Sequence, residues 1–311
     1  MTRARMNADG GKQMNAKARW LAGLAIGVAA TLGSLAAAAA TPVPSGRWSF
    51  VFTDQKGRPD RPIKVFTYRP RQCDSTCPMV FVLHGAKRDT YPYMKHWASI
   101  ADEHRMIVVG PQFEAQHWPK AAAYNAGDVK DQADREKWVF AAIEHLFDEV
   151  RDGQKDYVLF GHGAGAQVVQ RMAIYRPENR ARLLIAANPG WYTMPEWRKE
   201  KEKAYKEPYP YSMVGSPAGE AELKAALQKR MVLIVNDRDE APDDEASEKR
   251  GEVVKQGESR VDRAENFIKA ATAASQDLGV KLAWELNEAP EKVNDAYTAG
   301  EYAARAVFGR R

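Results

Sequence analysis

No histidine follows residue 162 in this 311-residue chain; the six it has are His84, His96, His104, His117, His145 and His162. Chemistry that needs an imidazole from the C-terminal part of the sequence is therefore excluded, and the six present show no metal-ligand spacing. Cysteine is nearly absent too, with only Cys73 and Cys77 in Cys-Asp-Ser-Thr-Cys. Two cysteines exclude a disulfide-framed miniprotein, and no second Cys or His pair stands at zinc spacing. There is no internal repeat and no Lys/Arg block interleaved with aromatics. The formal charge of +5 does not change this, because five of the 46 Lys/Arg and one of the 41 Asp/Glu fall in residues 1–40, leaving a formal +1 on the rest. The basic character belongs to the N-terminal segment and gives no argument for nucleic-acid binding. No metal, cofactor or nucleic-acid partner is expected.

What the N-terminus does contain is a targeting pattern. Lys12, Lys17 and Arg19 precede an alanine-rich apolar run from Trp20 to Ala40 that ends in Ala38-Ala39-Ala40. A positive region, an apolar region and small residues before a break make a secretory signal peptide. Met14 is an alternative start. The alternative reading is an uncleaved anchor, since the run is long enough to span a bilayer. The expectation is a signal peptide over residues 1–40, one folded domain over 41–311, a periplasmic or secreted location, and no stable span after processing. In an oxidising compartment Cys73 and Cys77 most simply form one short-loop disulfide, with two free thiols as the alternative.

The remainder, 44% hydrophobic as a whole chain, supports a sizeable core. Trp48–Thr53 and Ile63–Tyr68 read as two strands around a Gln-Lys-Gly-Arg-Pro turn. Met79–Leu83, Met106–Val109, Tyr157–Phe160, Arg182–Ala187 and Met231–Val235 are short apolar runs typical of buried parallel strands, and Lys281–Leu286 is the last strand. Helical periodicity covers about 133–151, the stretch after Gly165, about 261–278 and about 295–308. His145 sits beside the apolar stripe of its helix and reads as surface. Strands alternating with helices predict an α/β fold, a mostly parallel sheet with helices on both faces. Residues of about 191–225 break the rhythm and read as a cap insertion; 240–260 is highly charged and reads as a solvated loop or helix start.

The chain is organised around Tyr157-Val158-Leu159-Phe160-Gly161-His162-Gly163-Ala164-Gly165. An apolar strand, a glycine-rich turn and an immediate helix form the context of a nucleophile elbow, G-x-S-x-G, except that position 163 is glycine. Together with Val82-Leu83-His84-Gly85, Asn188-Pro189-Gly190-Trp191-Tyr192 and Asn236-x-x-Asp239, this order resembles secreted α/β-hydrolases of the poly(3-hydroxybutyrate) depolymerase and related esterase type, over about residues 60–308. The resemblance implies the α/β-hydrolase fold and acyl hydrolysis by serine, aspartate and histidine in that chain order. Carried over residue by residue, it puts the nucleophile position at Gly163 and the acid at Asp239, with Asp237 as second choice. The histidine position falls at Asn294, in the loop before the final helix. The oxyanion N–H groups fall at Ala86 and Ala164.

Two of the three positions thus lack the residue that the chemistry needs. His162 reads as a structural neighbour of the elbow and His84 as a packing and hydrogen-bonding residue. Asp237 and Asp239 also suit a plain turn, and Trp191 and Tyr192 suit either a pocket wall or the core. The expectation is a hydrolase-fold protein that binds a small ester-like or polymeric ligand without serine catalysis. The competing expectation is an active ester hydrolase or depolymerase with a non-standard site. Oligomeric state is not legible. Processing has a direct test: N-terminal sequencing of protein from periplasm or medium should give a start near residue 41, and an intact Met1 or Met14 on membrane-bound protein would contradict it.

Overall fold

The structure, a computed structural model, describes residues 42–130, 132–198, 207–236, 251–290 and 295–308. Eight strands form one sheet: β1 (Gly46–Phe52), β2 (Ile63–Arg69), β3 (Met79–Leu83), β4 (Ile107–Gln112), β5 (Tyr157–His162), β6 (Ala181–Ala187), β7 (Met231–Val235) and β8 (Trp284–Glu288). Their spatial order is β1-β2-β4-β3-β5-β6-β7-β8. β1, β2 and β4 pair antiparallel, and every pair from β4 through β3 to β8 is parallel. The central strands β3, β5 and β7 are buried along their whole length, as their uninterrupted apolar sequences require of a sheet covered on both faces.

The covering helices are α1 (Tyr91–His104), α2 (Lys120–Ala123), α3 (Val139–Val150), α4 (Ala164–Tyr175), α5 (Glu220–Leu227), α6 (Gly251–Val254), α7 (Arg260–Asp277) and α8 (Ala296–Phe308). Alternate side chains of each strand feed two separate clusters. One contains Phe81, Leu159 and Leu184 with Phe140, Val168 and Phe267 from α3, α4 and α7. The other contains Val80, Phe160 and Ile185 with Trp97, Ile100 and Ala303 from α1 and α8. Close approach of α1 and α8 needs Gly300, where a Cβ would stand 3.2–3.3 Å from Ile100 and Trp97. Cys73 and Cys77 are joined in a disulfide, as the sequence led us to expect. Among the described residues no helix is long and apolar enough to cross a membrane.

Two boundaries moved for physical reasons. The helix expected from about 133 begins at Val139, because Asp134 caps a separate 3-10 turn (Arg135–Lys137) and Trp138 is extended, with ψ 155°. The last strand starts at Trp284, whose ring packs on Phe267 while its Nε1 donates to the Ala226 carbonyl. In the 191–225 stretch, residues 191–198 and 207–219 carry no helix or strand beyond one bridge between Met194 and Ser212. Met194, Met213 and Ala218 nonetheless join the core, and α5 follows.

His145 is not on the surface: it is 8% exposed, and its two ring nitrogens meet two carboxylates. Nδ1 lies 2.8 Å from Asp54 Oδ1 and Nε2 lies 2.9 Å from Glu136 Oε2. Asp54 comes from the β1–β2 turn, where its Oδ1 also accepts the N–H groups of Lys56 and Gly57. Glu136 is further held by Arg176 at the end of α4. Helical periodicity does not reveal this, because the partners are 91 and 9 residues away. Both carboxylates only accept, so the ring donates from both nitrogens as imidazolium. Burial opposes that charge, but the Asp54 and Glu136 carboxylates outweigh it and raise the His145 pKa. A raised folded-state pKa stabilises fully below the unfolded value of about 6.5, and the contribution fades as pH rises through the folded value. Removing one member of a buried pair typically costs about 3 kcal/mol or more. His145→Gln should therefore cost on the order of 3 kcal/mol near pH 5.5 and less near pH 9, read from denaturant unfolding of both proteins. A pH-independent difference would contradict the pairing.

Candidate active site

The turn joining β5 to α4 is built by close packing. A Cβ at Gly161 would stand 2.3 Å from the Gly165 carbonyl oxygen, and a Cβ at Gly165 would stand 2.5 Å from the Leu83 carbonyl oxygen. The first and third glycines are therefore required by backbone contact between β5, α4 and the end of β3. The middle one, Gly163, is required by conformation: φ 55° and ψ −111° lie in a region that L side chains adopt only under strain. Its N–H donates to the Ala187 carbonyl at 3.0 Å, and its carbonyl accepts from the Gln167 N–H as α4 begins. Gly163 keeps partial exposure at the C-terminal ends of the parallel strands, while Ala164 is buried at the first position of α4.

The neighbouring His84-Gly85-Ala86 turn is fixed from several sides. His84 Nδ1 donates to the Gly85 carbonyl at 2.9 Å, and its Nε2 accepts the Phe113 N–H at 3.0 Å. These contacts set one neutral tautomer, and complete burial lowers the His84 pKa to about 3. Tyr124 donates its hydroxyl to the His84 carbonyl at 2.8 Å, and its ring stacks on the imidazole. The Gly85 N–H donates to the Tyr93 hydroxyl at 3.0 Å, and that hydroxyl lies 2.9 Å from His162 Nδ1. Tyr93 on α1 thus ties this turn to the elbow strand. His84 and His162 are both buried beside these turns, and Ala86 is exposed next to them.

Strand register carries the arrangement across the sheet. His162 aligns with Ala187, and Ala187 with Ile234. Just beyond β6, Asn188 donates its N–H to the Ile234 carbonyl at 2.7 Å with φ 52°. Just beyond β7, the Asn236 Nδ2 donates to the Ala289 carbonyl, tying the ends of β7 and β8 together. Asp237, Asp239 and Asn294 lie outside the described residues. The described ends of β5, β6 and β7 are neighbours. Asp295 is also near enough for His162 to contribute to lowering its pKa. Burial opposes that shift, while the N–H groups and hydroxyl of α8 contribute most to it.

Trp191 and Tyr192 both prove to be buried. Trp191 packs under the Arg171 guanidinium at 4.2 Å, and Tyr192 stacks on Phe267. Arg171, a fully buried cation on α4, donates to the Asn125 and Gln167 carbonyls and to Thr193. Burial lowers its pKa to about 10, so it stays charged. Tyr93, Tyr124, Arg171 and Asn188 are residues that sequence reasoning did not single out; only Asn188 stood inside a quoted motif.

No family model matches the chain, and no curated protein matches it. Solved structures do. Poly(aspartic acid) hydrolase-1 from Sphingomonas sp. KT-1 is similar at 32% identity and a TM-score of 0.77, over 86% of this chain and 100% of that one. LpqC, a poly(3-hydroxybutyrate) depolymerase from Bordetella parapertussis, is similar at 28% identity and 0.78, over 86% and 91%. The S-formylglutathione hydrolase FrmB of Staphylococcus aureus shares the fold at 12% identity and 0.51, over 84% and 97%. The strand order and the elbow turn define the α/β-hydrolase fold. The chain belongs to the α/β-hydrolase superfamily, beside the poly(aspartic acid) hydrolase and the poly(3-hydroxybutyrate) depolymerase.

The elbow geometry has a measurable consequence. A non-glycine residue held at such a φ costs on the order of 1–3 kcal/mol. Gly163→Ala should lower stability by about that amount, read as a shift of the denaturant midpoint with an unchanged slope. An alanine variant as stable as the parent would show that the turn is not held in this conformation.

Proposed function

We propose that this protein is an exported α/β-hydrolase-fold binder that holds an ester-like or polymeric ligand at the C-terminal ends of its strands and does not cleave it by serine chemistry. The observation that carries the reading is Gly163, a residue without a side chain at the apex of a turn whose surroundings remain fully built. A serine hydrolase needs a hydroxyl to attack and a base to take its proton. Glycine supplies no hydroxyl, and no histidine follows residue 162 to supply the base from the loop before α8. The N–H groups of Ala86 and Ala164, at the His84–Gly85 turn and the start of α4, are the donors this reading assigns to a ligand carbonyl oxygen. Strand C-terminal ends in open α/β sheets are where such ligands bind. The relatives are named for polymers, which supports a chain-like ligand. The N-terminal pattern and the Cys73–Cys77 disulfide support export.

Removing a catalytic serine or histidine typically costs on the order of a million-fold in kcat. The protein should therefore resist fluorophosphonate labelling and give negligible turnover of short-chain aryl esters. Gly163→Ser alone should restore little, because the hydroxyl stays unactivated and the backbone strained. Gly163→Ser with Asn294→His should restore more than the two single changes together, if Asp239 serves as the acid. Labelling of the parent protein, or ester turnover at ordinary enzymatic rates, would overturn the reading.

A further inference from the structure

We propose that β1 is the seam of a two-fold homodimer, in which the β1 strands of two copies pair antiparallel and join their sheets edge to edge. β1 ends the sheet, so one of its sides is bonded to β2, and among the described residues no backbone group pairs with the other side. Such an open row of N–H and C=O groups is a template for a further strand, and monomeric proteins blunt it with charges, proline or a bulge. The opposite edge of this sheet is blunted in that way: β8 reads Trp-Glu-Leu-Asn-Glu, with Glu285 and Glu288 exposed. β1 is not. Its pairing with β2 runs from Gly46 to Phe52 without a bulge, and Trp48–Phe52 reads Trp-Ser-Phe-Val-Phe with no charge. Both faces of this edge also stay open. Of the five exposed large apolar side chains among the described residues, Trp48 (56%), Val51 (64%) and Tyr91 (60%) all border it. On one face Trp48 and Phe50 wall a cavity of about 310 Å³ with Val43 and Val150; on the other, Phe66, Tyr68 and Tyr91 wall a second of about 310 Å³.

Self-complementarity points to a second copy rather than a foreign strand. A two-fold axis normal to the sheet at Phe50 sets Phe50 against its own copy and Trp48 against Phe52 of the second copy, so the aromatic faces run on as one. Ser49 then meets Val51 of the second copy on the opposite face. The single charge on the strand, Arg47, falls opposite Thr53, six positions and roughly 20 Å from its symmetry mate. Glu149 borders Trp48 and makes no ion pair among the described residues. The axis carries it to the Phe52 end of the second copy, the side on which Lys56 is 66% exposed. A half-exposed aromatic side chain offers roughly 100 Å² to a contact. With the strand edges, the two copies bury on the order of 1,000 Å², the low end for a specific interface. That area fits a reversible dimer.

The register of β1 on β2 supplies a variant that keeps the fold. Val51 stands opposite Lys64, so Val51→Glu gains a cross-strand partner within its own copy while charging the seam as β8 is charged. The experiment is sedimentation velocity of the purified protein over about 1–200 µM, with Val51→Glu and, as a control, Val254→Glu at an exposed position away from this edge. Amide hydrogen exchange is followed over the same range. The expected result is a concentration-dependent dimer for the parent and for Val254→Glu, and a dissociation constant raised about ten-fold or more in Val51→Glu. Amides of β1 should exchange more slowly as the parent is concentrated, while those of β8 do not change. A parent that stays monomeric throughout, or a dimer that Val51→Glu leaves equally tight and β1 exchange unaffected, would overturn the proposal. A monomeric parent whose β1 amides gain protection only when a 3-hydroxybutyryl trimer is added would assign the edge to a ligand chain and overturn it too. None of these outcomes bears on the binding role of the elbow, which the dimer does not require.

Discussion

The rest of the site depends on one contact: the β5–α4 turn lies against the end of β3 with no space for a side chain at either flanking glycine. Gly165 has its α-carbon against the Leu83 and His84 carbonyls, and Gly161 lies against the Gly165 backbone. This contact fixes where α4 starts, and so where the Ala164 N–H stands relative to the Gly85–Ala86 turn. His84, Tyr124, Tyr93 and His162 then lock the second turn in place through hydrogen bonds between buried groups. The arrangement is rigid because each donor has a defined acceptor, and it does not draw on the side chain at position 163.

That independence explains how a glycine can occupy the apex without collapse of the site. A serine there bears backbone strain, which an active enzyme accepts in return for an exposed nucleophile. Glycine adopts φ 55° freely, so the turn is kept at no such cost. Asn188 is also left-handed, at φ 52°, but there a side chain has been kept, buried and unbonded.

Much of the fold was legible in the sequence because its signals are local. Buried parallel strands read as apolar runs, and Met79–Leu83 and Met231–Val235 were read to the residue. The elbow was legible from its three glycines. Helix α1 was not assigned, although Tyr93, Met94, Trp97, Ala98, Ile100 and Ala101 carry a helical spacing and Pro92 suits a first turn. The His145 bridge and the orphaned Asn188 were illegible for a different reason. Both depend on which distant carbonyls and carboxylates arrive next to a side chain, and spacing along the chain does not encode that. Asp239 and Asn294, the acid and histidine positions implied by the resemblance, lie outside the described residues.

The central claim is that the donors of the elbow and of the His84–Gly85 turn are retained for binding in a site without a nucleophile. Amide NMR during titration with an aspartyl or 3-hydroxybutyryl trimer tests it most directly, with the ligand recovered afterwards for mass spectrometry. The account predicts saturable shifts of the Ala86, Gly163 and Ala164 resonances and a trimer recovered intact. A cleaved trimer, or binding that leaves those three amides unmoved, would contradict it.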